Sequence, residues 1–250
     1  MKVAVISGGA GGLGLALADA LEAQGWQAWL LDREVGHVQQ SATRRVIACD
    51  LTDGGALAAA CAQIVAAAGR VDLAVYNAAI THIGPFDGLD EVTHRRVFEI
   101  NYFAAVAMAR HLLAPLRAAR GTHLAISSVA GFSPLHHRTA YAASKHALEG
   151  FFHSLRSEEA AHGVRVQVAA PSFVATNTGA RANTDGTARP GAAADGVDYM
   201  TPADAAAEIL RGLARGAPMI PVGRVARLAW RINRASPRLF QRLMERNIKG

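Results

Sequence analysis

Val3-Ala4-Val5-Ile6-Ser7-Gly8-Gly9-Ala10-Gly11-Gly12-Leu13-Gly14, close to the start of the chain, decides the fold. An apolar run leads into a glycine cluster and then into an Ala/Leu-rich stretch, an order that predicts a buried strand, a tight turn and a helix. Glycines in such a turn let the backbone approach a pyrophosphate, and the helix directs its N-terminal amides at the phosphates. The spacing fits GxGxxG at positions 9, 11 and 14 and also GxxxGxG at positions 8, 12 and 14.

Beyond this turn, short apolar runs alternate with longer stretches at helical spacing. Strands are predicted at residues 2–7, 27–32, 45–50, 73–77, 122–127, 165–170 and 219–222, and helices at 12–24, 54–68, 92–119, 141–162 and from 201 onward. Such alternation requires right-handed crossovers and a parallel sheet. We therefore predict one α/β domain over 1–223, a Rossmann-like, doubly wound parallel sheet flanked by helices. The Gly- and Asn-rich stretch 178–200 has no periodicity and predicts a long functional loop.

Composition excludes several classes of protein. Apolar residues make up 51% of the 250 residues, which is enough for a sizeable core. No apolar stretch approaches the ~18 residues that cross a bilayer, and the run at 3–6 is too short for a signal sequence. Cys49 and Cys61 lack metal or redox spacing, and no two histidines stand in a metal-binding frame. These features predict a reduced, cytoplasmic protein without a metal site.

The positive charge of the chain is concentrated at its C-terminus. Residues 224–250 hold seven arginines and one lysine against one glutamate, a net charge of +7, so the rest of the chain carries −1 of the total of +6. A basic face on the domain, as nucleic-acid binding requires, is therefore not expected. The arginines recur every three or four residues opposite an apolar side, which predicts a basic amphipathic helical extension, divided at Pro237. Its apolar side either packs on the body or a second subunit, which we favour, or lies on an anionic membrane.

Asp32 ends the second predicted strand. A carboxylate at this position can accept hydrogen bonds from both ribose hydroxyls of an adenosine. It would also repel a 2′-phosphate by roughly 3 kcal/mol per charge at ~5 Å and an effective dielectric near 20. The residue thus favours NAD over NADP, although the neighbouring Arg33 is able to neutralise a phosphate.

Tyr141 and Lys145 stand four residues apart in a helical stretch, so both project from one face. A free tyrosine is only about one part in a thousand phenolate at neutral pH, and a nearby ammonium lowers its pKa. Ser127 and Ser128 end a predicted buried strand, at the sheet edge where ligands bind in parallel sheets. A hydroxyl there can hold a substrate oxygen for Tyr141 to protonate.

Taken together, these residues resemble the classical branch of the short-chain dehydrogenase/reductase family, over residues 1–223 and in the family's order. Residues 7–14 resemble its TGxxxGxG loop, with serine in place of threonine. Residues 76–79 resemble its NNAG motif, with departures at Tyr76 and Ala79. Residues 171–176 resemble its PGxxxT motif, with a departure at Ser172. The resemblance implies cofactor contacts at Ser7, Gly8, Gly12, Leu13, Gly14, Asp32, Asp50, Leu51, Asn77, Ala78, Tyr141, Lys145, Pro171, Val174 and Thr176.

The same resemblance implies a catalytic tetrad of Asn101, Ser128, Tyr141 and Lys145. Ser128 would hydrogen-bond the substrate carbonyl, and Tyr141 would donate or remove the proton. Lys145 would bind the nicotinamide ribose and lower the tyrosine pKa, and Asn101 would hold a water that links Lys145 to solvent. Departures at Tyr76, Ala79 and Ser172 would alter cofactor affinity or pocket shape without removing a catalytic group.

The predicted function is an NAD(P)-dependent oxidoreductase that moves a hydride between a nicotinamide and a carbonyl or secondary-alcohol carbon. The resemblance further implies a homodimer or homotetramer formed through helices 92–119 and 141–162. A substrate pocket is expected near Phe132, Leu135, His136 and His137, under a lid at 178–200, although a solvated loop is favoured for the histidines. Alternatives are a non-catalytic dinucleotide-binding sensor or scaffold, and a sugar-nucleotide epimerase, for which the chain is short.

Overall fold

Seven parallel strands form the central sheet. The computed structural model describes residues 1–177, 183, 185–191 and 199–248, with side chains up to 244. The strands, in chain order, are β1 Val3–Ser7, β2 Gln27–Asp32, β3 Arg44–Ala48, β4 Leu73–Tyr76, β5 Thr81–His82, β6 Thr122–Ile126, β7 Arg165–Pro171, β8 Thr187–Ala188 and β9 Met219–Val222. The sheet order is β3-β2-β1-β4-β6-β7-β9, and β5 pairs antiparallel with β8 outside it. The predicted Rossmann-like sheet is thereby confirmed.

Helices cover both faces of this sheet. They are α1 Gly12–Glu22, α2 Gly54–Ala68, α3 Glu91–Phe98, α4 Ala104–Ala119, α5 Thr139–Glu159, α6 Pro202–Ala214, α7 Arg224–Ala235 and α8 Pro237–Ile248. Because side chains alternate along a strand, Val3 and Val5 of β1 join the core under α2, α4 and α5, whereas Ala4 and Ile6 join the core under α1 and α6. Burial on both faces explains why the central strands are mainly apolar, whereas the edge strand β3 begins with Arg44 and Arg45 and is only partly buried.

Several element boundaries differ from those predicted, among them the end of β3, which lies at Ala48 rather than at residue 50. The helix expected at 92–119 is interrupted by a π-helical turn, Glu99–Phe103. The helix expected at 141–162 begins two residues earlier, at Thr139, and its last residues form a 3-10 turn, Ala160–His162. The short strands β5 and β8 were not predicted, because two-residue strands leave no periodic signal and their pairing depends on the tertiary fold. Much of the predicted loop and lid at 178–200 lies outside the described residues.

The sheet order reverses direction between β1 and β4. The chain moves outward from β1 to β2 and β3, then returns to place β4 on the other side of β1. At such a switch point, the loops that follow the two strands diverge and leave a crevice at the carboxyl edge of the sheet. This crevice lies beside the glycine turn.

The C-terminal extension folds as two helices, α7 and α8, separated at Ser236. Ala226 and Phe240 are buried, Arg227 pairs with Glu208 of α6 at 2.8 Å, and Asn233 donates to the carbonyl of Phe132 at 2.8 Å. The apolar side is thus partly buried, at Ala226 of α7 and at Phe240 of α8. Four apolar residues do not pack on the body and are exposed: Val225, Leu228, Leu239 and Leu243. Their packing on a second subunit stays a prediction. In the described part of the chain, no helix combines the length and apolarity needed to span a bilayer.

Candidate active site

The glycine turn packs too closely for side chains at several of its positions. Gly8 has φ of +62°, and a Cβ there would lie 2.7 Å from the Cα of Ala78. A Cβ on Gly14 would overlap the carbonyl oxygen of Gly8 and lie 2.8 Å from the Cα of Gly9. A Cβ on Gly12 would lie 2.8 Å from the carbonyl oxygen of Thr176. The glycine turn therefore packs against the loops that follow β4 and β7. The glycines of the GxxxGxG spacing, at positions 8, 12 and 14, all lie in close contacts.

The N-terminus of α1 is suited to bind a ligand. Its N-cap is Gly11, and no side chain caps the first turn. The amides of the first turn, which include those of Leu13 and Gly14, have no helical acceptor and present donors together with the positive end of the helix dipole. An anion such as a pyrophosphate fits this position.

Ser7 and Asn77 hold the turn in place rather than facing outward. The Ser7 hydroxyl accepts from the amides of Asn77 and Ala78, at 3.1 and 3.3 Å. The Asn77 side chain donates to the carbonyl of Gly8 at 2.9 Å. Together these bonds fix β1 against β4 at the switch point, and they place two predicted cofactor residues in a positioning role.

Asp32 lies at the end of β2, nine-tenths buried, beside the glycine turn. Its carboxylate accepts from the amide of Ala10 at 3.1 Å and from that of Arg33 at 2.8 Å. The Arg33 side chain is mostly exposed and pairs with Glu34 at 3.3 Å. Asp32 is therefore placed where a ribose would lie if the pyrophosphate occupies the helix terminus.

Asp50 and Leu51 follow β3. The amide of Cys49 donates to the Asp32 carbonyl at 2.9 Å, and this bond places the two residues next to Asp32 along the sheet edge. The Asp50 carboxylate is exposed and accepts from the amide and hydroxyl of Thr52. These two hydrogen bonds lower the pKa of Asp50. Both predicted residues thus reach the edge at which the predicted adenosine site lies.

The residues after β7 close the crevice on the side opposite β4. Pro171 ends β7, Val174 is buried, and the Thr176 hydroxyl donates to the carbonyl of Pro190 at 2.8 Å. The contact between Gly12 and Thr176 brings this segment against the glycine turn. Ser172, the departure in this motif, has a buried hydroxyl without a hydrogen-bond partner among the described residues.

Asn101 lies in the π-helical turn between α3 and α4 and is almost fully buried. Its amide oxygen accepts from the amide of Ile80 at 2.8 Å, and its amide nitrogen donates to the Ile80 carbonyl and to the Ser144 hydroxyl, both at 2.9 Å. One side chain thus joins the loop after β4 to α5. Single π turns often occur at functional sites, where they re-aim a side chain within a helix.

Ser128 and Tyr141 meet at the carboxyl end of β6. Ser128 begins the 3-10 turn Val129–Gly131, and Tyr141 lies in the first turn of α5. The Ser128 side chain lies close enough to the Tyr141 phenol to lower its pKa. The two hydroxyls can therefore reach the same oxygen atom of a substrate.

The pKa of Tyr141 differs from the expectation. It is raised, because burial of the phenol outweighs the effects of the Ser128 side chain and of the positive charge of Arg138, both of which lower it. Lys145 was expected to lower this pKa, but its ammonium donates to the carbonyl of Ile126 at 2.8 Å and lies 5.8 Å from the centre of the Tyr141 ring. In this structure, Tyr141 is a neutral phenol at neutral pH.

Lys145 is almost fully buried. Burial lowers its pKa to about 8, against the opposing effect of the negative charge of Glu149. A lysine whose pKa lies this close to neutrality can exchange a proton during a reaction. The predicted tetrad is thus brought together: Tyr141 and Lys145 by α5, Ser128 by β6, and Asn101 through Ser144 of α5.

Glu149 is a residue that the sequence reasoning missed. It lies one turn beyond Lys145 on the buried face of α5 and accepts from the Ser127 hydroxyl at 2.6 Å. Burial raises its pKa, against the effects of that hydrogen bond and of Lys145. Gly131 packs directly on this pair, since a Cβ there would overlap both side chains. The four-residue spacing from Tyr141 through Lys145 to Glu149 was the signal that could have revealed it.

Tyr76, a departure from the family motif, does not face the crevice. It is buried in the core, where its hydroxyl and Nδ1 of His123 are 2.6 Å apart and its ring lies 4.7 Å from that of Phe152. The expectation that Tyr76 alters the cofactor pocket is therefore wrong, because side chains alternate along β4 and this one belongs to the opposite face. Burial lowers the pKa of His123 to about 4.

The histidines expected near the substrate pocket are exposed. The rings of His136 and His137 stack on each other at 3.6 Å, and the carbonyl of His137 accepts from the amide of Gly84 at 2.9 Å. This geometry fits the favoured interpretation of a solvated loop. Among the described residues, no group of three or more His, Cys, Asp or Glu side chains is arranged to hold a metal ion.

The crevice fits a dinucleotide. It offers an uncapped helix terminus for phosphates and a carboxylate for a ribose at one end, and a buried lysine with a neighbouring tyrosine and serine at the other. The fold and the site together define a nucleotide-binding, Rossmann-type oxidoreductase.

Comparisons with known proteins agree. The family model for short chain dehydrogenase matches residues 2–186. The chain belongs to the short-chain dehydrogenase/reductase family of oxidoreductases. It is 32% identical to a cattle (Bos taurus) dehydrogenase/reductase SDR family member 7B, over 97% of this chain and 80% of that protein. A short-chain dehydrogenase from Streptomyces avermitilis superposes with a TM-score of 0.80 at 27% identity, covering 100% of this chain and 99% of that one. A metagenomic short-chain oxidoreductase in complex with NADP gives 0.65 at 32% identity, over 70% of this chain and 82% of that one.

Proposed function

We propose that the protein is an NAD(P)-dependent alcohol dehydrogenase or carbonyl reductase. The observation that carries the proposal is the placement of Ser128 beside the Tyr141 phenol, with the buried Lys145 ammonium 5.8 Å from the centre of the Tyr141 ring. A bound nicotinamide supplies or accepts the hydride. The remaining requirement, to hold the substrate oxygen and to move one proton, falls on these side chains.

Ser128 and Tyr141 divide this work. Both hydroxyls can donate to the substrate oxygen and so favour the negative charge that develops on it during reduction. Because the pKa of Tyr141 is raised, the phenol carries its proton at neutral pH and is ready to act as the general acid. In the oxidative direction, the same oxygen must first lose that proton, which a neighbouring cation promotes.

Lys145 and Asn101 support the proton transfer. The Lys145 ammonium, with a pKa of about 8, gains stabilisation from any hydroxyl oxygen that enters beside it. Asn101 fixes the loop after β4 to α5 through Ile80 and Ser144, and so keeps the tetrad in register. Such preorganisation lets small donor groups contribute to catalysis without rearrangement.

NAD is the proposed cofactor. The Asp32 carboxylate is buried beside the glycine turn, where a 2′-phosphate would be repelled, and the Arg33 guanidinium is paired with Glu34. NADP is the alternative: a solved relative is in complex with it, and the mostly exposed Arg33 is able to swing toward a phosphate.

A non-catalytic dinucleotide sensor or scaffold is the second candidate. A sensor needs the glycine turn and Asp32 but gains nothing from the buried Lys145 or from the Ser128–Tyr141 pair. Burying a lysine against its preference for water is costly, and a functional site is where such a cost is expected. The tetrad therefore favours turnover.

Self-association is also proposed, as a homodimer or homotetramer through α4 and α5. Phe103, at the junction of the π turn and α4, has half of its side-chain surface exposed, as an apolar contact residue would. Sedimentation velocity of the purified protein tests this: a monomer at micromolar concentration would contradict it.

The proposed activity is tested with a panel of primary and secondary alcohols, ketones and aldehydes, each with both cofactors, followed by nicotinamide absorbance. Tyr141→Phe should lower kcat by about 10²- to 10⁴-fold, with dinucleotide affinity nearly unchanged. Tyr76→Phe is the matched control, because it removes a core hydroxyl outside the site and should leave kcat unchanged where the variant is folded. A Tyr141→Phe enzyme that kept most of its activity would contradict the mechanism.

A further inference from the structure

Helices α7 and α8 expose a surface that is at once apolar and positively charged. On α7, Leu228 has 61% of its surface exposed and Val225 has 39%. On α8, Leu239 is 50% exposed and Leu243 is 39% exposed. We name these four residues, with the exposed arginines Arg224, Arg231, Arg238 and Arg242, the C-terminal face.

The exposed apolar and basic residues are interleaved on this face, rather than fully separated onto opposite sides of the helices as the sequence predicted. On α7, Arg224 and Arg231 lie on either side of Leu228 at spacings of four and three residues, which places all three on one side of the helix. On α8, Arg242 lies three residues from Leu239 and next to Leu243. Leu228 and Leu239 therefore each share a side of their helix with at least one exposed arginine.

These arginines also lack acidic partners within the described side chains. The ion pair formed by α7 joins Arg227 to Glu208, and Arg234 stacks over the ring of Trp230 at 5.2 Å; neither belongs to the C-terminal face. The sequence of 224–250 carries a net charge of +7. Positive charge without local compensation attracts anions at the surface.

The orientation of α7 is fixed by the rest of the molecule. Ala226 is fully buried, Asn233 donates to the carbonyl of Phe132, and Arg227 is held by Glu208. Phe240 of α8 is also buried. Because the opposite side of α7 already contacts the body, the C-terminal face is directed away from the body.

We propose that the C-terminal face binds the surface of an anionic lipid bilayer. Such a surface accepts both parts of the face: acyl chains take up leucine and valine side chains near the headgroups, and anionic phosphates pair with arginines around them. An anionic bilayer therefore offers contacts to both the apolar and the basic residues of the face.

Two other occupants fit less well. A second copy of this chain, docked symmetrically, would bring arginines of one face against arginines of the other, since an isologous contact pairs a surface with itself. A nucleic acid would neutralise the arginines but leave the exposed leucines in contact with phosphate and water, without a base-reading groove element. Both remain as outcomes of the test.

The test is co-sedimentation of the full-length protein with vesicles at low salt. Vesicles of phosphatidylcholine and phosphatidylglycerol in equal parts should bind the protein, and vesicles of phosphatidylcholine alone should bind it at least ten-fold more weakly. Raising the salt concentration should release it, because screening shortens the reach of the arginines. Failure to bind at low salt, or equal binding to the two compositions, would overturn the proposal.

Variants separate the two components of the face. Arg224→Gln with Arg231→Gln should weaken binding to the anionic vesicles by about 25-fold, at about five-fold per arginine. Leu228→Ser should weaken it by roughly ten-fold through loss of apolar burial. Matched controls elsewhere on the surface are Arg45→Gln on β3 and Val92→Ser on α3, where the valine is 78% exposed; both should bind like the parent protein.

The alternative occupants have distinct signatures. If Leu228→Ser leaves vesicle binding intact but dissociates an oligomer in sedimentation velocity, the face is a subunit contact and the proposal is wrong. If a sulfated polyanion binds as tightly as vesicles and Leu228→Ser has no effect on either, the face is a simple polyanion site and the proposal is also wrong. Unfolding temperatures of all variants, measured alongside, show that differences in binding do not come from unfolding.

Discussion

Gly14 is the third residue of α1, and replacing it with alanine sets two physical effects against each other. Helix propensity alone favours alanine over glycine inside a helix by about 1 kcal/mol. The tertiary structure opposes the change, because the new Cβ would overlap the carbonyl oxygen of Gly8 and lie 2.8 Å from the Cα of Gly9. Both atoms belong to the backbone, so no side-chain rotation relieves the contact.

The magnitude follows from the overlap. Inserting a methyl group into a tightly packed site costs typically about 1–3 kcal/mol, and contact with fixed backbone atoms places Gly14→Ala near the upper end. After the gain in propensity, we expect a net loss of about 2 kcal/mol of unfolding free energy. For a domain of this size, that corresponds to a fall in Tm of roughly 4–8 °C.

Dinucleotide affinity should fall as well. The Gly8 carbonyl accepts from the amide of Gly11 at 3.2 Å and from the side chain of Asn77 at 2.9 Å, and displacing it disturbs the turn that would face the pyrophosphate. We expect the Kd for NADH, measured by fluorescence titration, to rise by at least about ten-fold, a loss of about 1.4 kcal/mol. Denaturant unfolding gives the stability of the same sample.

Gly11→Ala is the matched control in the same turn. Its φ of −78° suits any residue, and a Cβ there would lie 3.4 Å from the Gly8 carbonyl oxygen, an ordinary contact. This variant should keep both the parent stability and the parent Kd. If Gly14→Ala instead proves as stable as the parent and binds NADH equally well, the conclusion that close backbone contacts require glycine at position 14 is refuted.

Three further perturbations test the rest of the site. Asp32→Ala should lower the ratio of kcat/KM for NAD to that for NADP by at least about ten-fold, within the roughly 3 kcal/mol of repulsion available; an unchanged ratio would show that the carboxylate does not discriminate. Glu149→Gln should shift the Lys145-dependent limb of the pH profile of kcat/KM to lower pH, because the glutamate charge raises the lysine pKa. The exposed Glu158→Gln should leave that profile in place, and a Glu149→Gln profile identical to the parent's would exclude the coupling. His123, with a pKa of about 4 in the folded protein against 6.5 unfolded, should contribute stability that is complete above pH 6.5 and is lost as the pH falls toward 4, about 3 kcal/mol in all. Denaturant titrations from pH 7 to pH 4 on the parent and on His123→Asn measure this share, and equal slopes with pH would contradict it.

The amino-acid sequence by itself determined the features that depend on neighbours along the chain. The turn after β1, the alternation of strands with helices, and the four-residue spacing of Tyr141 and Lys145 are local patterns, and the structure contains each of them. Local order also determined that β-branched runs would be buried on both faces of a parallel sheet. Boundaries were less accurate, because helix ends and two-residue strands depend on contacts made elsewhere.

Only the tertiary structure decided which distant residues meet. The π turn that aims Asn101 at Ser144, and the bond that joins Ser127 to Glu149, connect positions more than 20 residues apart. The direction of Tyr76 into the core follows from the register of β4 against its neighbours. The exposure of Leu228 depends on which side of α7 the body already occupies. In each case the deciding energy comes from packing and burial between elements, which a pattern along one segment does not contain.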